Sequence, residues 1–354
     1  MKPWEKNIRR VVPYTPGEQP DKPKMIKLNT NENPYPPAPG VAAALRGMDM
    51  DRLRLYPDPA AAVLVKAIAA DRGLSPEQVF VGVGSDDVLA MCFLTFFNGG
   101  EPILFPDITY SFYDVWADVF RIPYETQPLD GQFDIVPQDY YKKNGGVIFP
   151  NPNAPTGVEC PQEDIEDILR HNRDVIVIVD EAYVEFGAES ALPLLEKYDN
   201  LIVVQTFSKS RSLAGMRIGY AMASPELIRC LNDVKYSFNS YTMDQTALAA
   251  GVASLADRPY YEETIGKIIG VREQTKKRLR VLGFSFRDSK ANFVFASHER
   301  CPARELFQAL REQDIYVRYF DKPRIDNYLR ITIGTAEEMD ALLSFLERYL
   351  NKED

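Results

Sequence analysis

The sequence predicts an α/β fold: a mainly parallel sheet in a large domain, a smaller α+β domain, and an extended N-terminal arm. Three observations predict it. Short apolar strands alternate with helix-patterned segments from about residue 79 to residue 206, the mark of βαβ units. The run Asp174-Val175-Ile176-Val177-Ile178-Val179-Asp180 is apolar without alternation, as in a strand covered on both faces. After about residue 225 helices dominate and then mix with short strands, which marks a second architecture. At 354 residues the chain exceeds one ordinary core. The expected division is an arm over 1–40, a large domain over 41–250 and a small domain over 251–354.

The arm holds Val12-Pro13-Tyr14 and Leu28-Asn29-Thr30-Asn31-Glu32-Asn33-Pro34-Tyr35-Pro36-Pro37, where proline blocks helix and asparagine favours Asx turns. Arms of this kind often cross onto a dimer partner, and a dimer is expected here. Helices are expected over 39–48 and 59–70, the second with Val63, Leu64 and Ile68 turned inward. Between them lies the turn Leu55-Tyr56-Pro57-Asp58-Pro59. A strand over 79–83 leads through Gly82-Val83-Gly84-Ser85-Asp86-Asp87 into a helix over 88–97. A glycine turn opening a helix presents free N–H groups to an anion, although Ser85 and Asp86 read equally as ordinary N-caps. There follow a strand over 102–106, an aromatic segment with Tyr110 and Tyr113, a helix to 120 and a short strand near 122.

A strand over 146–150 ends in Asn151-Pro152-Asn153-Ala154-Pro155-Thr156-Gly157, a turn stiffened by its prolines. A helix over 161–172 and the strands 174–180 and 201–206 complete the expected sheet. Ser85, Asn153, Asp180 and Lys209 all fall just beyond carboxyl ends of strands, where open α/β sheets bind ligands. Helices then cover 225–282, including a long one over 261–282. Strands over 284–287, 292–296, 315–318 and 328–333 alternate with helices over 303–313 and 336–350.

Composition narrows the chemistry. A formal charge of −10 argues against nucleic acid and anionic membranes as partners. No apolar run reaches the roughly 18 residues of a membrane span, and MKPWEKNIRR has no apolar signal core. The four scattered cysteines read as reduced thiols, so a cytoplasmic location is expected. With two histidines, His171 and His298, neither a His-rich metal site nor a His-based nucleophile triad is expected. An enzyme so composed rests its chemistry on a cofactor.

The stretch Thr206-Phe207-Ser208-Lys209-Ser210-Arg211-Ser212-Leu213-Ala214-Gly215-Met216-Arg217 sets one lysine among hydroxyls, with an arginine eight residues further on. A lysine beside apolar surface can attack a carbonyl. Hydroxyls and an arginine suit a phosphate ester. An aldehyde and a phosphate on one ligand describe pyridoxal phosphate (PLP) held as a Schiff base on Lys209. Taken alone, the stretch reads equally as an exposed loop of Ser, Lys and Arg. PLP also needs an acid at its ring nitrogen, donors to its ring oxygen, a stacking aromatic and a phosphate cradle, and the sequence offers each at a strand end.

With these motifs in order from Val12-Pro13-Tyr14 to Leu329-Arg330-Ile331-Thr332, almost the whole chain resembles the aminotransferase class of PLP enzymes that includes aspartate aminotransferase. The resemblance implies that Lys209 binds the cofactor and moves the proton. Asp180 would pair with the ring nitrogen, Tyr183 would donate to the ring oxygen and Tyr110 would stack. Ser85, Asp86, Thr206, Ser208 and Arg217 would hold the phosphate. Tyr56 would reach it from the other subunit of a homodimer with shared sites. Tyr14 and Asn31 would lie over the substrate. One departure stands out: the class pattern Asn-Pro-Thr-Gly has Ala154 here in place of its asparagine, and Asn153 is expected to take over that contact. The resemblance further implies that Arg318 and Arg330 hold the anionic end of the substrate; as two guanidiniums suit a dianion, the substrate expected from the resemblance is histidinol phosphate, with glutamate and 2-oxoglutarate as the partner pair. The alternatives are a decarboxylase of the threonine-phosphate kind and an aromatic amino acid aminotransferase. A PLP-binding regulator would need a basic DNA-binding module, for which this acidic chain has no spare residues.

Overall fold

The computed structural model describes residues 2–351. Its centre is a seven-stranded sheet in the spatial order Val79–Gly82, Gly219–Ala223, Leu201–Thr206, Val177–Asp180, Val147–Pro150, Ile103–Pro106, Tyr124–Gln127. Leu201–Thr206 and the four strands beyond it run parallel, and Gly219–Ala223 runs antiparallel to both its neighbours. The Val/Ile-rich strands are buried on both faces, as their unbroken apolarity requires. Their period of two divides them cleanly. Val147, Phe149, Val177 and Val179 pack with the helices Pro39–Arg46, Ala62–Arg72, Gln162–His171 and Gln245–Ala256. Ile148, Ile178, Ile202 and Val204 pack on the other side with Ser85–Phe96, Tyr113–Phe120 and Pro225–Phe238.

The strand Gly219–Ala223 was not expected. Its sequence, Gly-Tyr-Ala-Met-Ala, has few residues that favour a pleated surface. Its glycine has a steric reason: a Cβ on Gly219 would overlap the backbone of Gly84 and Ser85. Val63 also departs from expectation. Leu64 and Ile68 are buried, but Val63 is 54% exposed, because one residue along a helix rotates by about 100° off the inward face.

A second, four-stranded antiparallel sheet takes the order Arg318–Tyr319, Leu329–Thr332, Phe293–His298, Phe284–Phe286. It packs with the helices Arg258–Val281, Ala303–Glu312 and Ala336–Leu350. The last of these starts at a capping box in which Thr335 N donates to the Glu338 carboxylate at 2.7 Å. The expected strand over 315–318 divides in two. Ile315–Tyr316 pairs in parallel with Ile26–Lys27 of the arm, and Arg318–Tyr319 turns to Leu329–Thr332. The arm is therefore tied to the C-terminal sheet, supported by Lys22–Asp314 (2.6 Å) and Arg311–Glu18 (2.8 Å) ion pairs. It opens with the 3-10 turn Pro3–Asn7, where proline fills the first position and needs no donor. Residue 250 lies inside Gln245–Ala256, which packs on the first core, whereas Ile265 and Ile268 belong to the second. Among the described residues no helix is long and apolar enough to cross a membrane.

Candidate active site

The carboxyl ends of the sheet open into a cavity of about 320 Å³ that residues of the arm and of the second sheet also line. Three groups of residues divide it. At one end Gly84, with φ of 88°, opens the helix Ser85–Phe96 and leaves the Ser85 and Asp86 amides at its N-terminus. The absent Cβ of Gly219 lets this turn lie against the neighbouring strand. Ser208 N donates to Thr206 Oγ1 at 3.1 Å, and the two hydroxyls stand 3.0 Å apart. Arg217 adopts a left-handed backbone and directs Nη2 to within 3.2 Å of the Asp86 carboxylate. Amides, hydroxyls and a half-exposed guanidinium converge as a phosphate cradle does.

In the middle, Lys209 Nζ donates to the Thr30 carbonyl at 3.2 Å and lies 5.8 Å from the centre of the Tyr183 ring. Asp180 ends its strand with only neutral donors, Tyr113 Oη at 3.0 Å and Ala182 N at 3.3 Å. Burial pushes its carboxyl up to about 7, against the pull of those hydrogen bonds. Glu181 is pushed up to about 7 by burial as well. Tyr110 lines the cavity and donates to Asp86 at 2.7 Å, while Tyr113 is fully buried behind Asp180. Tyr183 packs edge-on against Phe293 at 5.1 Å.

At the far end Arg318 and Arg330 sit side by side as register partners on adjacent strands. Like charges directly opposite in a sheet repel. Arg330 Nη2 donates to the Asn29 carbonyl at 2.9 Å, its Nε has no partner among the described residues, and its guanidinium rests 5.4 Å from Phe293 and 5.6 Å from Phe320. Burial pushes its pKa down. Arg318 reaches only the Thr15 and Pro16 carbonyls, at 3.3 and 3.5 Å. No carboxylate neutralises either arginine among the described residues. Tyr14 closes this end, stacked on Phe112 at 4.2 Å.

The fold thus brings thirteen of the fifteen expected site residues to one cavity, and two lie elsewhere. Asn153 does not line it. Its Nδ2 donates to the Ile108 carbonyl and Thr156 Oγ1, both at 3.0 Å, so the amide holds the turn together while Ala154 occupies the wall. Both X-Pro bonds of that turn, Asn151-Pro152 and Ala154-Pro155, are cis. Tyr56 lies outside this chain's own cavity, 80% exposed and stacked on Tyr241 at 4.6 Å. Sequence reasoning missed the Thr30 carbonyl and the Phe320 shelf. A backbone acceptor and a lone aromatic leave no local signal.

In the unfolded chain the two raised carboxyls ionise near ~4. Between about pH 4 and pH 7 the unfolded state therefore holds fewer protons than the folded cofactor-free protein. Stability falls as pH rises through that window. Asparagine has no proton to lose, so the Tm of the parent should drop relative to that of Asp180→Asn across it. Thermal melts of cofactor-free protein check this, and a difference that does not change with pH would contradict it.

This sheet, with a lysine, a buried acid and a phosphate cradle at its carboxyl edge, defines a PLP enzyme of the aminotransferase fold. The residues fit the cofactor: among the described residues Asp180 faces no cation, only the Tyr113 hydroxyl and the Ala182 amide, and the Gly84–Gly219 contact leaves the anion cradle open. The model of the aminotransferase class I and II family matches residues 23–346. The chain is 53% identical to a histidinol-phosphate aminotransferase of Acinetobacter baylyi over 99% of its length and 98% of the relative's. It is 52% identical to that of Lactococcus lactis subsp. cremoris, with 99% of each covered. The solved structure of the histidinol-phosphate aminotransferase from Sinorhizobium meliloti with pyridoxal-5'-phosphate superposes with a TM-score of 0.85 at 25% identity, covering 94% of this chain and 92% of that one. The chain belongs to the class I and II aminotransferases, and its cofactor is pyridoxal 5'-phosphate.

Proposed function

We propose that the protein transfers an amino group between histidinol phosphate and 2-oxoglutarate, a step of histidine biosynthesis, as a cytoplasmic homodimer. The observation that carries the substrate is the paired, unneutralised Arg318 and Arg330 at the end of the cavity away from the cradle. Two forked guanidiniums with Tyr14 suit a phosphate dianion, and the same cluster accepts the side-chain carboxylate of glutamate. PLP, when bound, supplies an electrophilic carbon and an electron sink for the charge left at the donor's Cα.

The chain's own groups do the rest. Lys209 Nζ, held on the Thr30 carbonyl, removes the Cα proton. The Asp180 carboxylate keeps the ring nitrogen protonated, and Tyr183 donates to the ring oxygen. Tyr110 covers the ring face. Ser85, Asp86, Thr206, Ser208 and Arg217 anchor the phosphate. Exposed Tyr56 completes the partner's cradle, which makes the dimer necessary. The line between the large and small domains falls in the first turns of Arg258–Val281, after the last residues that pack on the first core.

Steady-state kinetics on Arg318→Gln test the assignment. The expected loss for histidinol phosphate in kcat/KM is about 2 kcal/mol or more, the size of a lost charged contact, with histidinol itself little affected. Equal losses for both substrates, or faster turnover of aromatic amino acids by the parent, would move the reading to an aromatic aminotransferase. Carbon dioxide release without amino transfer would make it a decarboxylase.

A further inference from the structure

We infer that Asn31 is a positioning residue that turns the Tyr183 hydroxyl toward the cofactor's ring oxygen, and so offsets the loss of the class asparagine at Ala154. Asn31 is fully buried and holds a left-handed backbone, φ 56°, which asparagine tolerates better than most residues. Every one of its polar groups is committed. Its backbone N–H donates to Thr332 Oγ1 at 3.0 Å, and Thr332 Oγ1 donates back to Asn31 Oδ1 at 3.0 Å. Its carbonyl accepts from Asn292 Nδ2 at 3.0 Å. Its Nδ2 donates to Tyr183 Oη at 2.9 Å.

The direction of that last bond matters. Thr332 Oγ1 accepts from the Asn31 N–H and gives its one hydroxyl proton to Oδ1. This orients the amide and makes Nδ2 the group facing Tyr183. An amide N–H can only donate, so Tyr183 Oη accepts from it and keeps its own proton for another partner. The Tyr183 side chain lines the cavity, and its hydroxyl has no second protein partner among the described residues. Asn31 thus removes one of the ways in which the tyrosine could be satisfied and leaves donation into the cavity. A hydroxyl so directed draws negative charge from the ring oxygen. That weakens the hold on the proton at the nitrogen joining Lys209 to the cofactor. Thr332 lies two residues from Arg330 on the same strand face, so the brace also ties the anion-binding strand to Tyr183.

The inference rests on the assignment of Tyr183 to the ring oxygen, and the test separates the two. The readout is the pH midpoint of the holoenzyme's visible-absorbance change, without substrate. Tyr183→Phe should raise the midpoint; no change there would overturn the Tyr183 assignment and the Asn31 role with it. Asn31→Gly, which keeps the left-handed backbone, should raise it by roughly half to one pH unit, the size of one neutral hydrogen bond. In the Tyr183→Phe background the same substitution should add nothing. Thr332→Val, which frees the Asn31 amide to rotate, should move the midpoint the same way and serves if Asn31→Gly does not fold. A Tyr183→Phe shift with unmoved midpoints in Asn31→Gly or, failing that, in Thr332→Val overturns the Asn31 proposal alone. So does an Asn31→Gly shift that persists undiminished without the Tyr183 hydroxyl.

Discussion

Lys209→Ala is expected to lower turnover by roughly 10²–10⁴-fold from the lost proton transfer alone, and by more once the covalent attachment is counted. The fold should survive, because the Lys209 side chain gives up a single hydrogen bond, to the Thr30 carbonyl. A change of no more than about 1 kcal/mol in stability follows. Two measurements check it. Gel filtration should strip the cofactor's colour from Lys209→Ala and not from the parent, and single-turnover assays should give the rate. Mixing Lys209→Ala chains with Tyr56→Phe chains extends the test to the shared site. One site of each mixed dimer carries both lesions and the other neither, so purified mixed dimers should show about half the parental activity, and a randomly paired mixture about a quarter. Failure of the mixture to regain activity would remove Tyr56 from the partner's cradle.

Arg330→Met should reduce kcat/KM for histidinol phosphate by about 2–4 kcal/mol, more than Arg318→Gln, since Arg330 is the more enclosed of the pair. Its effect on stability should run the other way. A partly buried cation without an acidic partner among the described residues, directly opposite a second cation, is unfavourable in the absence of an anion. Methionine fills similar space between Phe293 and Phe320 and removes that repulsion. The cofactor-loaded variant without substrate should therefore melt at or above the parental temperature while losing activity. A large drop in Tm alongside the lost activity would show that Arg330 supports the fold and is not held in reserve for substrate.

Much of the site was legible because its residues sit at strand ends that announce themselves locally. Lys209 follows an apolar strand and stands among hydroxyls. Asp180 closes a run of five apolar residues, and Ser85 follows a glycine turn. The arginines were legible as charges inside strands that otherwise exclude them. Asn153 was the instructive failure. Its residue type and its neighbourhood were right, but its side-chain amide is committed to the Ile108 carbonyl and the Thr156 hydroxyl and does not reach the cavity. Gly219–Ala223 was missed because a strand between two others can be built from small residues once its neighbours supply the packing. Val63 failed on a rotation of one residue, a scale at which an alanine-rich helix gives little warning.

By itself the sequence determined the alternation of strands and helices, the residues delivered to the carboxyl edge, and through them the class of cofactor. These follow from period, turn chemistry and residue type, all of which act over a few neighbouring residues. Only the tertiary structure decided which groups face the cavity and which brace those that do. Asn31 meets Tyr183 across 152 residues and Thr332 across 301, and Arg318 takes its place because the arm claims the strand before it. Contacts at such separations depend on how sheets and arm pack together, and no local pattern in the chain encodes the hydrogen-bond direction that results.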